Sequence, residues 1–304
     1  MTVLGPIPSR DMGITLPHEH LQFDLFRITR DRNGRFNAND IPMLVDELAH
    51  FKQAGGRTLV ELSNQGLSRD PEALKRIATA SGINIIMGSG WYREPYYDHA
   101  YIRRASVRQI ADDIVDEIEH GVGGSGARPG IIGEIGADLD YVSPAEERVF
   151  RASAKAHLRT GLTVTTHALE SPVGLQQLDI LQEAGMDPRR VIVGHCGTWM
   201  DLDYHEAIAR RGAYVQFDTV RGTFPYDDVQ IARAIRHLVR LGFLEHVLIS
   251  HDCCYRTHLT AYGGNGYGHI LRSFVPALLE AGLSREQVDT IIVENPRRAI
   301  SGER

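Results

Sequence analysis

The sequence predicts a single (β/α)8 barrel domain spanning residues 1–304, and three observations predict it. Eight short apolar runs alternate with longer amphipathic stretches. The first run ends in His-Glu-His, not in the glycine-rich phosphate loop that a doubly wound sheet usually carries there. Titratable residues collect at the ends of the runs, where an α/β barrel places its chemistry.

The predicted strands are "GITLPH" (13–18), "TLVELS" (58–63), "INIIMGS" (83–89), "GIIGEIG" (130–136), "LTVTTH" (162–167), "VIVGH" (191–195), "AYVQFD" (213–218) and "HVLISHD" (246–252). Most are short and rich in β-branched residues, which suits parallel strands buried on both faces. The stretch 40–55 reads as a helix capped by Asp40 and ended by Gly55 and Gly56. Residues 107–122 and 228–243 repeat apolar positions every three and four. The stretch 143–161 opens with Ser143 as cap, Pro144 at the first helical position and Glu146 three after the cap.

A length of 304 residues is within the range of one undivided α/β barrel, and 42% hydrophobic with 24% charged residues describes a globular chain with a full core. The net charge of −6 argues against nucleic acid as a partner. Three cysteines, two of them adjacent (Cys253 and Cys254), make no disulfide framework. The N-terminus has no signal-like basic and apolar regions, and no apolar run approaches the ~20 residues of a membrane helix. A soluble cytoplasmic protein acting on a small molecule, with no nucleic acid or membrane partner, is expected.

Strand alternation turns His18 and His20 to one side, so two imidazoles aim at one point. A surface turn can carry such a pair without purpose; the other strand ends decide. Glu134 lies in the fourth run, His167 and His195 end the fifth and sixth, Asp218 ends the seventh and Asp252 the eighth. His50, His120, His157, His205 and His237 fall in helical stretches and are expected to be solvated. Imidazole and carboxylate together suit zinc, with manganese or cobalt as substitutes. Two divalent ions fit the set: His18, His20 and Asp252 on one, His167 and His195 on the other, Glu134 between them. The competing account of Glu134 is a strand carboxylate paired with an arginine.

The ordered motifs "TLPHEHLQFD", "GIIGEIG", "VTTHA", "VIVGHCG", "YVQFDT", "LISHD" and "ENPRRAI" run from residue 15 to residue 300. Together they resemble the phosphotriesterase family of the amidohydrolase superfamily. Many members bridge their metals with a carboxylated lysine on the fourth strand. This chain's three lysines, Lys52, Lys75 and Lys155, lie elsewhere, and Glu134 matches the glutamate-bridged branch of phosphotriesterase homology and phosphotriesterase-related proteins. The resemblance implies a metal hydrolase in which hydroxide attacks an ester, lactone or phosphotriester, with Asp252 as catalytic proton acceptor. A small N-acyl amide is the alternative substrate. A barrel that binds without turnover is the alternative of another class, disfavoured because a binder needs no proton acceptor.

Substrate-binding positions are expected on the loops. Tyr92, by resemblance to lactone-hydrolysing relatives, either orients hydroxide and substrate or simply walls the pocket. Those relatives carry arginine directly after the aspartate matching Asp218; here Thr219 stands there and Arg221 follows later. Arg256, in the long glycine-rich eighth loop (253–269), either binds a substrate anion or pairs with Asp98 or Asp227. Cys253 and Cys254 are expected only to pack. Trp91, Tyr96 and Tyr97 are read as exposed loop aromatics serving a pocket or a homodimer contact.

Overall fold

The computed structural model describes residues 1–222 and 226–303; residues 223–225 of the predicted seventh loop, and residue 304, lie outside the described residues. Eight strands form one sheet in chain order: β1 (Ile14–Glu19), β2 (Gly56–Glu61), β3 (Asn84–Ser89), β4 (Ile131–Gly136), β5 (Val164–His167), β6 (Val191–Val193), β7 (Tyr214–Phe217) and β8 (Val247–Ile249). Every neighbouring pair in that order is parallel. The sheet curls until its ends meet: Ser250 Oγ accepts from the His18 amide at 3.1 Å, and the Asp252 amide donates to the His18 carbonyl at 3.3 Å. This is the expected barrel.

Helices α1 (Ile41–Gln53), α2 (Pro71–Ser81), α3 (Val107–His120), α4 (Pro144–Thr160), α5 (Gly174–Glu183), α6 (Leu202–Arg210), α7 (Asp228–Arg240) and α8 (Val275–Glu280) cover the sheet. Capping boxes begin α3 (Ser106 with Gln109), α4 (Ser143 with Glu146) and α7 (Asp227 with Gln230), each satisfying amides that the first turn leaves open. Asp40 does not cap α1 with its side chain, as the sequence suggested. Its carboxylate accepts from the Asn37 amide and from Arg256, so it serves the preceding turn.

Two cores result. The larger packs the helices onto the outer faces of the strands. The smaller joins Val60, Leu62, Ile86, Ile131, Ile192 and Leu248 from five of the strands and their ends with Met12 and Ile300, which plugs the barrel beneath the site.

β6 and β8 stop short of their predicted ends for a local reason. His195 (φ 58°) and Asp252 (φ 53°) adopt left-handed conformations that leave the extended path. Non-glycine residues there carry strain of about 1–3 kcal/mol, and such strain clusters at functional sites. His157 (9% exposed) and His205 (0%) are buried, against the expectation that helical histidines are solvated. Among the described residues no helix is long and apolar enough to cross a membrane.

Candidate metal centre and pocket

Glu134, near the end of β4, is the hub. Its Oε2 lies 3.0 Å from His167 Nδ1, 3.3 Å from His195 Nε2 and 3.6 Å from His18 Nε2, while Oε1 lies 3.5 Å from His20 Nε2. Asp252 Oδ1 completes the cluster at 3.3 Å from His20 Nε2 and 3.7 Å from His18 Nε2. Among the described residues no arginine pairs with Glu134, so the strand-carboxylate account fails.

All six side chains are buried, and burial opposes every charge among them. It disfavours the Glu134 carboxylate, but His18 and His167 override it and hold the acid well below the ordinary carboxylate range. Burial likewise disfavours His20 as a cation, yet Asp252 and Glu134 raise its pKa to about 10. His167 goes the other way, lowered to about 4 by burial and then by His195. Protons alone serve this arrangement poorly. His167 Nδ1 and His195 Nε2 face each other at 2.7 Å, and His18 Nε2 is buried without a hydrogen-bond partner among the described residues.

A divalent cation would satisfy the orphaned lone pairs, and the nitrogen and oxygen donors suit one. The donor atoms form two groups that share Glu134, one with His18 and His20 and the other with His167 and His195, each within 4.8 Å. A third group, His18 with His195 and Asp218, reads differently. Asp218 sits at the Nδ1 side of both rings, 2.9 Å from His195 and 3.0 Å from His18, and also accepts from the His195 amide and Gln216 Nε2. It orients both rings so that their Nε2 atoms turn to Glu134, a supporting role outside the donor set.

Asp218 and Glu19 are the site residues to which the sequence reading gave no role. Glu19 points away from the histidines that flank it. It accepts from Ser250 Oγ, the His251 amide and His251 Nδ1, each at 2.8 Å, and from the Cys253 amide at 2.9 Å. Two of these amides bracket Asp252, so Glu19 holds its strained backbone. Asp218 was legible as one more strand-end carboxylate. Glu19 carried no signal beyond its place between two histidines.

A cavity of about 290 Å³ opens over the cluster. Tyr92 enters it with its hydroxyl 3.4 Å from His167 Nδ1, and burial followed by the nearby Glu134 charge keeps the phenol neutral, a hydrogen-bond donor. Arg221 lines the wall; Phe23, Leu25 and Leu67 form an apolar side. Arg256 does not line it. Its guanidinium donates to Asp40 at 2.7 Å and lies over the Phe36 and Tyr262 rings, tying loop to loop with neither expected partner. Cys254 does more than pack: its thiol lies on the wall, 3.4 Å from Asp252 Oδ2. Trp91, Tyr96 and Tyr97 are 7%, 0% and 2% exposed, so they present no surface to a second subunit. Trp91 stacks on Tyr101, and Tyr96 supports Tyr92 from beneath.

Relatives share this frame. The phosphotriesterase family model matches residues 1–300. The phosphotriesterase homology protein of Escherichia coli is 36% identical, over 93% of this chain and 96% of that one. Its crystal structure, with phosphate in the active site, superimposes with a TM-score of 0.91 over 95% of this chain and 98% of that one. Human N-acetyltaurine hydrolase is 33% identical, over 98% of this chain and 96% of that one. A resiniferatoxin-binding protein from Rhodobacter sphaeroides matches at 32% identity with a TM-score of 0.89, over 99% of this chain and 94% of that one. The chain belongs to the phosphotriesterase family.

Proposed function

We propose that this chain is a metal-dependent hydrolase of small acyl or phosphoryl compounds: an ester, lactone or phosphotriester, with an N-acyl amide as the second reading. The observation that carries the proposal is the buried convergence of four imidazoles and two carboxylates on the floor of a cavity, with lone pairs left unsatisfied. His18, His20 and Asp252 would hold one divalent ion, His167 and His195 a second, and Glu134 would be shared; zinc suits the donors best. Bound there, the ions would supply hydroxide at neutral pH and polarise the oxygen of the bond to be cut.

The protein's own groups do the rest. Asp252, fixed by the amides on Glu19, accepts the proton of the attacking water and passes it to the leaving group. Tyr92 presents its hydroxyl to the substrate oxygen. Asp218 keeps the His18 and His195 rings in one orientation. The apolar wall takes the acyl portion. The amide reading gains support from the relatives named N-acetyltaurine hydrolase, which match nearly the whole chain at 31–33% identity.

Elemental analysis of purified protein, then a panel of chromogenic esters, lactones, phosphotriesters and N-acetyl amides, tests the proposal. Close to two divalent ions per chain and turnover that a chelator abolishes are expected. A folded protein that hydrolyses the panel without bound metal would refute it.

A further inference from the structure

Two cavities meet at one pair of side chains. The cavity over the cluster, about 290 Å³, and a second of about 150 Å³ within the eighth loop are both lined by Arg221 and His258. The second lies against His251 and Cys253, which flank Asp252, and the loop stretch 263–266 closes its far side. Nothing in the hydrolytic chemistry uses it.

The two partition residues are held differently. Arg221 is tied to the site: Nη1 donates to the Asp252 carbonyl at 3.1 Å, and the guanidinium pairs with Asp252 Oδ2 at 3.9 Å. His258 meets Arg221 through its ring nitrogens, 3.2 and 3.3 Å from the same Nη1. A guanidinium only donates, so the ring accepts. The ring also packs edge-on against Tyr255, with centroids 5.4 Å apart. Its backbone is pinned: the His258 amide donates to the Tyr255 carbonyl at 2.9 Å, and the His258 carbonyl accepts from the Gly266 amide at 2.8 Å. At Gly264 a Cβ would stand 2.3 Å from the His258 carbonyl group, so the loop closes this tightly only with glycine there. His258 therefore contributes bulk at a fixed place. The second cavity is suited to carbon. His251 spends both ring nitrogens, on Glu19 and on the Ile270 amide, so it turns ring carbon to the space beside Cys253 and the glycines.

We propose that His258 is a specificity-determining residue: its ring closes the cavity beside Asp252 and limits the leaving group to a short chain, with a subsite for a longer alkyl chain shut behind it. The inference rests on the hydrolase reading and deepens it by fixing which part of the substrate is restricted. Asp252 passes its proton to the leaving group, so the portion beside Asp252 is the departing alcohol or amine. A cavity of about 290 Å³ is at the small end for ligand sites. With the acyl portion on Phe23, Leu25 and Leu67, a lengthening leaving group runs into the imidazole.

Calorimetric titration with alkyl methylphosphonates, ethyl to octyl, tests this on the wild type, His258→Ala and His258→Gln. These compounds carry the chain on the oxygen that stands for the leaving group. Melting midpoint and metal content are checked for each variant. The ethyl compound should bind equally to all three. In the wild type the gain per methylene, about fourfold where a chain is buried, should stop once the chain meets the ring. In His258→Ala it should continue, so that the octyl compound binds about tenfold or more tighter than to the wild type. His258→Gln keeps bulk and an acceptor for Arg221 and should follow the wild type.

A folded His258→Ala with the chain-length profile of the wild type overturns the inference. So does a His258→Gln that behaves like His258→Ala, because bulk is then not the cause. A wild type whose affinity climbs without a break to the octyl compound also overturns it, and that result stands even if the variants misfold. If no phosphonate binds, the crystal structure of His258→Ala decides: one continuous space past Arg221 supports the partition, and Tyr255 or Arg221 moved into the gap overturns it. Turnover keeps the two readings apart. Alkyl acetates, ethyl to octyl, cleaved with one kcat/KM profile by the wild type and His258→Ala would remove the role of His258 and leave the hydrolase. Absence of all turnover, on the acetates and the wider panel alike, would remove the hydrolase while the titration still reports on His258.

Discussion

Asp252 is the residue at which coordination and proton transfer meet, and one substitution separates them. In Asp252→Asn the amide oxygen can still coordinate, so metal content should stay close to that of the wild type. The amide cannot accept a proton, so kcat should fall about 10²- to 10⁴-fold on substrates with poor leaving groups. Nitrophenyl substrates, whose leaving group departs unaided, should show a smaller fall. A variant with full metal and unchanged kcat on a poor leaving group would place the proton elsewhere. Glu134 gives a second test, read without turnover. Glu134→Ala should lose metal measurably by elemental analysis, because the four imidazoles then have no shared anion. Added bicarbonate should not alter reconstitution of the wild type, since there is no lysine at the cluster to carboxylate; a bicarbonate-dependent gain would contradict the glutamate hub. At this scale the sequence was most informative where alternation and strand ends coincide, as for His18, His20, His167, His195 and Asp252. Arg256 was not legible, because its choice of Asp40 depends on how two loops fold against each other. Nor were Trp91, Tyr96 and Tyr97, since composition marks an aromatic loop but not which way it faces.

The strands themselves are set by close approach as much as by side-chain preference. Gly133 (φ +133°) precedes Glu134, and a Cβ there would meet the Thr165 carbonyl at 2.4 Å. β4 can therefore lie against β5 only with glycine at that place, and this contact brings Glu134 to His167. Gly133→Ala should destabilise the fold by about 1–3 kcal/mol and lower metal content as well, because any relief separates the two strands that carry the donors. Urea unfolding and elemental analysis report the two effects; a variant with wild-type values for both would mean that the strands tolerate the displacement. The runs "GIIGEIG" and "VTTHA" identify these strands from β-branched content and length, whereas "VIVGH" and "HVLISHD" overstate β6 and β8. The left-handed turns at His195 and Asp252 arise from the packing of the strand ends, with Asp218 holding the His195 amide and Glu19 the amides on either side of Asp252. No residue type in the sequence announces them.

Across the whole molecule, buried and half-buried histidines outside the cluster should make the fold sensitive to acid. Burial lowers the pKa of His157, His205 and His246, so each is neutral in the folded chain at a pH where its unfolded counterpart, near 6.5, begins to charge. The sign follows from proton counting. Below about pH 6.5 the unfolded state binds more protons, so stability is complete above that value and falls as pH drops toward the folded pKa. His205 is the most telling of the three. Its Nε2 reaches the Cys196 and Trp199 carbonyls at 2.8 and 3.0 Å, while Nδ1 is buried with no partner among the described residues. A second proton would therefore sit on an unsatisfied, desolvated nitrogen. Each such group adds at most about 1.4 kcal/mol of lost stability per pH unit. Urea unfolding at pH 7.0 and 5.5 should show the wild type losing about 1 kcal/mol more than His205→Gln over that interval, even though the variant starts less stable. Metal loss in acid affects both proteins and cancels in the comparison. Identical pH dependence in the two would mean that His205 takes up its second proton as readily in the folded chain as in the unfolded one.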